Sequence, residues 1–497
     1  MLPKILQSCS DFLISCDFKK YRVAAGLWLA VLFLGGNFLW GHLLNWDKGP
    51  FNYQDWVGVT GPRLTLLRNA IETGQLPLYS ATPTTSGNGE TDRILAIPDL
   101  LFSPQVLLLP WLTNGQFIVF QILLMFSLGF LGLLFFWKAH PFSVLTFTAV
   151  FLLFNFNGHI IAHLSIGHMT WSGYFLLPWF VYLMFDLLEG QRSSWLWTLK
   201  TALLLFLILL QGSYHQFVWL LFFIGLTGLA APKYFWVLLR TSALAVTLAA
   251  VRLLPEFVFL GQITPNFTAG FPDPLSILSS LIVIQPPGIQ DYIAGMGNKI
   301  GLWEATAYVG LVGAFFLIYF GFVSYLKNIK TVQASHKLLL PVLGMFFLSL
   351  DRVYYYLFTT IKLPIVDGER VVTRIISVSV VFLIFMAALE FQNWLNTPRS
   401  SRLPLVITIA FMVIGAVELA QNYFQWPVER VALFFSDAPF LPGLWWINNN
   451  VNDSRYILYL VIGLVVSVAS LVFLLVMVRH EKSRRALLTK ENMTPSP

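Results

Sequence analysis

One acidic side chain follows the first apolar segment of this 497-residue chain and has aromatic neighbours. The segment reads Tyr53-Gln54-Asp55-Trp56. A carboxylate at the boundary between water and lipid can accept a proton from a hydroxyl group, as in general-base catalysis. Asp55 is therefore the first candidate for a catalytic residue, and a carboxylate that forms a turn or caps a helix is the structural alternative.

Three further carboxylates in the same region could provide a second acidic position. Asp47 lies nearer the end of the first apolar segment and could take the role of Asp55. Glu90 and Asp92 follow the glycine-containing stretch Ser86-Gly-Asn-Gly, and Asp92 precedes Arg93. Both could equally be charges that solvate a loop, with Asp92 paired to Arg93.

Two arginines four residues apart, Arg370 and Arg374, precede a later apolar segment. Guanidinium groups one helical turn apart can bind phosphate oxygens through paired hydrogen bonds. The pair predicts a site that stabilises a departing phosphate group. The alternatives are that both side chains reach towards the membrane interface or pair with Asp367 and Glu369.

Three histidines lie close together in the chain. His159 and His163 are four residues apart and would share one helix face, and His168 follows. This spacing could hold a metal ion, but no acidic ligand lies within the segment, which favours hydrogen-bonding side chains around an aqueous cavity. Three further residues could line the same cavity: Tyr214, His215 and Glu304. The alternatives are that Tyr214 and His215 anchor a helix end in the membrane interface and that Glu304 is an ordinary charge at the boundary of a span. Glu304 could orient an acceptor or pair with one of the two arginines.

The composition indicates that lipid is the solvent of this chain. Hydrophobic residues make up 57% of it and charged residues 11%, and the mean hydropathy is +0.71. Soluble proteins carry about 25% charged residues. We attribute the net charge of +7 to lysines and arginines in cytoplasmic loops and expect no nucleic-acid partner. Cys9 and Cys16 precede the first apolar segment, on the side assigned below to the cytoplasm, where we expect no disulfide.

Apolar stretches long enough to cross a bilayer, about 20 residues each, recur along the whole chain. The predicted fold is an all-α polytopic membrane protein with about 12 transmembrane helices. The predicted spans are 24–45, 116–138, 141–156, 170–188, 195–212, 215–231, 234–254, 303–326, 337–350, 372–391, 403–421 and 456–479.

With 12 spans, the basic residues of the loops collect on one side, which predicts that this side and both termini are cytoplasmic. We divide the chain into a cytoplasmic N-terminal segment (1–23), one transmembrane domain (24–479) and a cytoplasmic tail (480–497). The long extracytoplasmic loops are 46–115, 255–302, 351–371 and 422–455. Polar chemistry is expected there, because ionisable groups inside the hydrocarbon are costly.

The first of these loops contains an amphipathic helix. Thr60 and Pro62 predict its start, and Gly74 predicts its end. Leu64, Leu67 and Ile71 recur at helical spacing, and Arg63 and Arg68 lie elsewhere on the helix surface. Such a helix could lie in the membrane interface.

Taken in order, several short motifs resemble those of the GT-C glycosyltransferases, and in particular the YfhO-like group of bacterial membrane proteins. The first is an acidic residue, an arginine-containing helix and then Gly-Gln-Leu-Pro-Leu-Tyr, where Tyr79 and Ser80 replace the Trp-Asn that is usual in the group. Later motifs lie at 156–171, 211–214, 303–310 and 363–374.

The resemblance implies a multispanning enzyme that uses a sugar linked to polyprenyl phosphate. It implies that Asp55 is the base and that Arg370 and Arg374 contact the donor phosphate. The acceptor would be a glycan, lipid or protein on the extracytoplasmic face of a bacterial cytoplasmic membrane. Single displacement predicts inversion at the anomeric carbon. Because some members use a divalent ion such as Mg²⁺ or Mn²⁺ and others do not, the cofactor stays open.

Two other functions fit the same sequence. One is a transporter or flippase of lipid-linked sugars, which would carry ionisable or helix-breaking residues at matching mid-membrane positions of two halves. No such matched pair stands out, and the polar residues gather on one side instead. The other is a non-catalytic membrane assembly subunit.

Overall fold

The computed structural model describes residues 11–16, 20–74, 100–190, 194–260, 269–290, 300–327, 334–360, 369, 371–397, 403–435 and 454–491. Helices dominate these stretches. In chain order they are α1 (Arg22–Leu43), α2 (Gly61–Thr73), α3 (Asn114–Ala139), α4 (Val144–Asn155), α5 (Gly158–Ser165), α6 (Leu177–Gly190), α7 (Trp195–Leu210), α8 (Tyr214–Ala230), α9 (Phe235–Leu248), α10 (Ala250–Leu260), α11 (Pro274–Ile282), α12 (Gly310–Phe316), α13 (Ser324–Lys327), α14 (Leu339–Leu348), α15 (Asp351–Thr360), α16 (Ile376–Asn396), α17 (Leu403–Tyr423), α18 (Val428–Phe435) and α19 (Ser454–Glu491). Two short strands, β1 (Ile289–Gln290) and β2 (Ile300–Gly301), pair antiparallel.

Several shorter turns of helix complete the framework. Those that matter for the site are the 3₁₀ turns Pro104–Trp111, Met169–Leu176, Leu302–Glu304 and Val372–Ile375 and the π-turn Trp56–Thr60.

Within the described stretches, eight helical segments are long and apolar enough to cross a membrane, which confirms the prediction of a helical polytopic membrane protein. Each coincides with one predicted span. The other four predicted spans fall on short or bent helices: α7 and His336–Leu348 are short, and Tyr214–Ala230 with Pro232–Leu248 form a pair bent by 120°. The predicted number of 12 therefore stays a prediction, as do the sidedness and the domain limits.

The predicted span 141–156 is longer in the structure and is broken in the middle. The segment Val144–Ser165 counts 22 residues and consists of α4 and α5. Asn157 joins the two helices, because its Oδ1 accepts a hydrogen bond from Ile160 N at 3.3 Å while its Nδ2 donates to the hydroxyl of Tyr174 at 2.8 Å. His159 and His163 therefore lie on the second piece of a buried, broken helix.

The predicted amphipathic helix exists as α2, and Gly74 ends it in the left-handed region at φ 68°. Two predictions about it are wrong. Thr60 does not cap it, because its hydroxyl donates instead to the carbonyl of Gly167 at 2.7 Å. Arg63 is buried rather than on the outer surface of the helix, since α2 packs into the protein. Arg68 holds α2 in this position by donating to the carbonyls of Leu109 and Leu112 at 3.0 and 2.8 Å.

The first loop is attached to the end of α5 by hydrogen bonds to carbonyls that the helix leaves unsatisfied. The hydroxyl of Tyr53 and the indole N–H of Trp56 donate to the carbonyl of Ser165 at 2.7 and 3.0 Å. The backbone N–H of Asp55 donates to the carbonyl of Ile166 at 3.2 Å. This attachment brings the carboxylate of Asp55 to the histidines.

Gly167 makes the close approach of the two segments possible. Its φ is +101°, and a Cβ atom added to it would lie 2.2 Å from the backbone nitrogen of Trp56. A side chain at this position would both strain the backbone and push the first loop away.

Candidate active site

Asp55, His168 and His163 form a chain of hydrogen bonds. Oδ2 of Asp55 lies 2.9 Å from Nε2 of His168, and Nδ1 of His168 lies 2.7 Å from Nδ1 of His163. The side chain of Asp55 is 40% exposed, that of His168 11% and that of His163 is fully buried. The carboxylate is thus open to a substrate on one side and held by the protein on the other.

The two histidines can hold a proton between them. With His168 neutral, its Nε2–H donates to Asp55 and its Nδ1 accepts from His163. With His168 doubly protonated, it donates to both neighbours, and His163 then turns Nε2–H towards Glu304, whose Oε2 is 4.0 Å away. Nε2–H of His168 donates to Asp55 in both forms, so the carboxylate keeps this hydrogen bond whether or not the pair of histidines carries the additional proton.

The pKa of Asp55 is held below its usual value. Burial by itself would raise it, but the charge and hydrogen bond of His168, followed by the positive charges of Arg374 and Arg63, outweigh the burial. Asp55 is therefore ionised at neutral pH. An ionised, partly exposed carboxylate is what a general base requires.

Arg374 forms a two-bond pair with Glu304. Its Nε and Nη2 both lie 2.5 Å from the carboxylate oxygens of Glu304, which confirms one of the two pairings considered for Glu304. Burial would raise the pKa of Glu304, but Arg374 outweighs it and the pKa is lowered. These two bonds use Nε and Nη2, so the pair with Glu304 does not require the N–H groups of Nη1.

A second carboxylate–histidine pair lies near Arg374. Nδ1 of His215 is 2.7 Å from Oε2 of Glu369, whose Oε1 accepts from the backbone N–H of Val371 at 3.2 Å. Burial would raise the pKa of Glu369, but His215 and then Arg374 lower it. His215 is 44% exposed, so it can meet a ligand.

Trp171 supports this arrangement from one side. Its ring stacks on His163 with centroids 4.3 Å apart, meets His159 edge-on at 4.7 Å and lies 5.8 Å from the guanidinium carbon of Arg374. An aromatic face fixes the imidazole and stabilises the cation.

Five of the predicted site residues thus form one connected cluster: Asp55, His163, His168, Glu304 and Arg374. His159 adjoins it through His163, His215 contacts Glu369, and Tyr214 precedes His215 on α8. Asp47 lies instead in the 3₁₀ turn Asn45–Asp47, against Gly115 at the start of α3. Glu90, Asp92 and Arg370 lie outside the described residues, so their roles stay predictions.

Sequence reasoning did not assign Arg63, Glu369 or Trp171 to the site. Glu369 was considered as a partner of the arginines, whereas its direct contact is His215. Arg63 lies in the first turn of α2, shortly after Asp55 in the chain, and this proximity was the available signal.

One ligand atom from each of His163, His168 and Glu304 lies within 4.8 Å of the others, and this group could hold a metal ion. Nε2 of His163 is buried and has no hydrogen-bond partner among the described residues. Two imidazoles and one carboxylate suit Mn²⁺ or Zn²⁺ better than Mg²⁺, which prefers oxygen ligands. No cofactor is established by these contacts.

Comparisons with known proteins give little further information. No family model and no curated protein matches the chain, so membership of the YfhO-like group stays a prediction. Among solved structures, the mycobacterial arabinofuranosyltransferase AftD aligns with 81% of this chain at 14% identity and a TM-score of 0.47. This chain covers 27% of AftD, about a quarter of its length.

Proposed function

We propose that this protein is an integral membrane glycosyltransferase of the GT-C type. It transfers a sugar from a polyprenyl-phosphate donor to a hydroxyl of a glycan, lipid or protein acceptor on the extracytoplasmic face. The observation that supports this function best is the contact between the ionised, half-exposed carboxylate of Asp55 and His168, at 2.9 Å, within a cluster that also contains the cation Arg374.

In the proposed reaction, a carboxylate oxygen of Asp55 accepts the proton of the acceptor hydroxyl. The oxygen freed of its proton attacks the anomeric carbon, and the bond from that carbon to the phosphate oxygen breaks. The polyprenyl phosphate leaves with the bonding electrons. Attack from the face opposite the leaving group inverts the configuration. Asp55 then passes its proton to water.

The departing phosphate needs positive charge. Arg374 supplies it through its charge and through Nη1, because Glu304 occupies its other two donor nitrogens. Arg63 is near enough to Asp55 to lower its pKa, and it adds a second positive charge to the region of the leaving phosphate. His215, half exposed, is the third candidate for a positive charge beside the phosphate. Arg370 keeps the role in phosphate binding that was predicted from the sequence.

A divalent ion is compatible with the site without being required by it. His163, His168 and Glu304 would hold it, and it would supply further positive charge beside the leaving phosphate.

The direct test is conversion of a lipid-linked donor by the purified protein in lipid nanodiscs. We expect release of undecaprenyl phosphate from at least one member of a panel of undecaprenyl-phosphate sugars, with the product of opposite anomeric configuration by NMR. The panel is repeated after metal chelation. A product of retained configuration would contradict the single displacement. Donor transfer between leaflets of vesicles without release of lipid phosphate would favour a flippase.

A further inference from the structure

The stretch between α1 and α2, which carries Asp55, contains most of the left-handed backbone found outside glycine. Among the described residues, five residues other than glycine have a positive φ, and four of them lie in this stretch. The four are Asn45, Trp46, Asp47 and Gln54, and the fifth is Phe102. A side chain makes this conformation unfavourable, and residues that keep it cluster at active sites.

Gln54 directly precedes the proposed base. Its φ is +44°, whereas that of Asp55 is −71°, in the right-handed region. The backbone thus changes hand at the residue before Asp55, and this change sets the direction in which the side chain of Asp55 leaves the chain. The other three left-handed residues lie further from the base, where the chain leaves α1.

Hydrogen bonds on both sides hold Gln54 in this conformation. Before it, the hydroxyl of Tyr53 donates to the carbonyl of Ser165 at 2.7 Å. After it, the backbone N–H of Asp55 donates to the carbonyl of Ile166 at 3.2 Å. The two carbonyls belong to consecutive residues, so Gln54 alone must turn the chain between them. A different backbone conformation at Gln54 would therefore displace Tyr53 or Asp55 from its carbonyl.

The carboxylate of Asp55 depends on this turn. Its Oδ2 lies 2.9 Å from Nε2 of His168. A displacement of about 1 Å breaks a hydrogen bond of this length and can lower a rate about 100-fold. The backbone of Gln54 therefore determines whether the carboxylate meets His168.

We propose that Gln54 is a positioning residue, whose left-handed backbone directs the carboxylate of Asp55 at His168. The proposal rests on the proposed glycosyltransferase function, in which Asp55 is the base. Gln54 acts through Asp55 and needs no contact with either substrate. What the reaction requires at position 54 is the backbone conformation and not the glutamine side chain.

Three substitutions at position 54 separate the backbone from the side chain. Glycine adopts the left-handed conformation without a penalty, asparagine tolerates it, and valine, which is branched at Cβ, is poorly suited to it. We expect Gln54→Gly and Gln54→Asn to keep kcat within about threefold of the wild-type value and Gln54→Val to lower it about 100-fold. The affinity for the undecaprenyl-phosphate donor, titrated separately, should stay within about twofold, because Asp55 acts on the acceptor. Gln54→Thr takes the place of Gln54→Val if the valine variant does not fold.

Phe102 provides the matched control. Its φ is +72°, and its side chain is 38% exposed, ahead of the turn Pro104–Trp111. Phe102→Val also places a β-branched residue in left-handed backbone, so both valine variants should lower the unfolding temperature. Only Gln54→Val should lower kcat. Equal losses of kcat at the two positions, full activity of Gln54→Val, or a loss in Gln54→Gly as large as in Gln54→Val would each overturn the proposal.

Structures of the wild type, Gln54→Gly and Gln54→Val by electron cryomicroscopy test the proposal without turnover. The distance from Oδ2 of Asp55 to Nε2 of His168 should stay near 2.9 Å in Gln54→Gly and exceed about 3.5 Å in Gln54→Val. An unchanged distance in Gln54→Val would overturn the proposal whether or not a donor is converted. A distance that responds as expected, in a protein that converts no donor, would contradict the proposed reaction alone.

Discussion

Asp55 owes its properties to its neighbours. Burial works against its charge, and His168, Arg374 and Arg63 restore it. The residue type and its aromatic neighbours were readable from the sequence, and so was the possibility that Glu304 pairs with Arg374. The contact of Asp55 with His168 could not be read from the sequence. It depends on the hydrogen bond from Tyr53 to the carbonyl of Ser165, which lies 112 residues further along the chain, and no local pattern encodes such a contact.

Replacing His168 tests the electrostatic account of Asp55. His168→Gln removes the largest contribution that lowers the pKa of Asp55, while burial still raises it. The pKa of Asp55 in the variant should therefore be higher. Since a base must be ionised, the acid limb of the pH profile of kcat/KM should move to higher pH.

The profile is measured between pH 4 and 8 with the best donor found. His42→Gln is the control, because His42 contacts Tyr423 instead of the cluster. An acid limb that stays at the same pH in His168→Gln would show that His168 does not set the ionisation of Asp55.

The Glu304–Arg374 pair predicts a loss of stability. Glu304→Gln leaves a buried guanidinium without its carboxylate, which should cost about 3–5 kcal/mol of unfolding free energy. The folded-state pKa of Glu304 lies below its ordinary value of 4.5. Its contribution to stability is therefore complete above about pH 4.5 and is lost as the pH falls through the lower folded-state value.

Denaturation from pH 3 to 8 measures both effects. The wild type should lose stability at the acid end, and Glu304→Gln should lack that part of the pH dependence. Arg485→Gln breaks an exposed pair with Glu481 and should cost less than about 1 kcal/mol. Equal losses for the two variants would contradict the importance of the buried pair.

At the scale of elements, the broken helix α4–α5 and the first loop build the site together. Composition predicted the apolar spans well, and Gly74 correctly marked the end of α2. The break at Asn157 and the burial of Arg63 could not be predicted in the same way. Asn157 is stabilised by the hydroxyl of Tyr174, and Arg63 is covered because α2 packs into the protein. Both effects arise from tertiary contacts.

Gly167 is where this element-scale assembly can be disturbed. Gly167→Ala places a Cβ atom 2.2 Å from the backbone nitrogen of Trp56 and requires φ near +101°. The first loop must shift, and a displacement of about 1 Å can lower the rate about 100-fold. We expect kcat to fall by that order and the unfolding temperature to decrease.

Gly225→Ala serves as the matched substitution. Gly225 lies in α8, and a Cβ atom there would have no neighbour within 4 Å. Because alanine favours a helix, this variant should be neutral or slightly stabilising and fully active. Normal activity of Gly167→Ala would mean that the first loop is not held in place by the end of α5.

For the whole molecule, sidedness is the property on which the extracytoplasmic reaction depends. The basic loops predict that both termini are cytoplasmic and that α2 is outside. In a protein without Cys9 and Cys16, Thr73→Cys, exposed near the end of α2, should react with a membrane-impermeant maleimide added to intact cells. Fluorescent-protein fusions at both termini should fold in the cytoplasm. Absence of labelling at position 73 would contradict the placement of α2 outside. A terminus that is found outside would contradict the cytoplasmic placement of the termini.

The most direct measurement of the central claim is the rate of undecaprenyl phosphate release by Asp55→Asn under single-turnover conditions. Asparagine keeps the shape but cannot accept the proton, so we predict a loss of at least 1,000-fold in rate in a protein that remains folded. Asp47→Asn, whose residue lies in a separate turn, should retain the wild-type rate. Asp55→Asn at full rate would contradict the account.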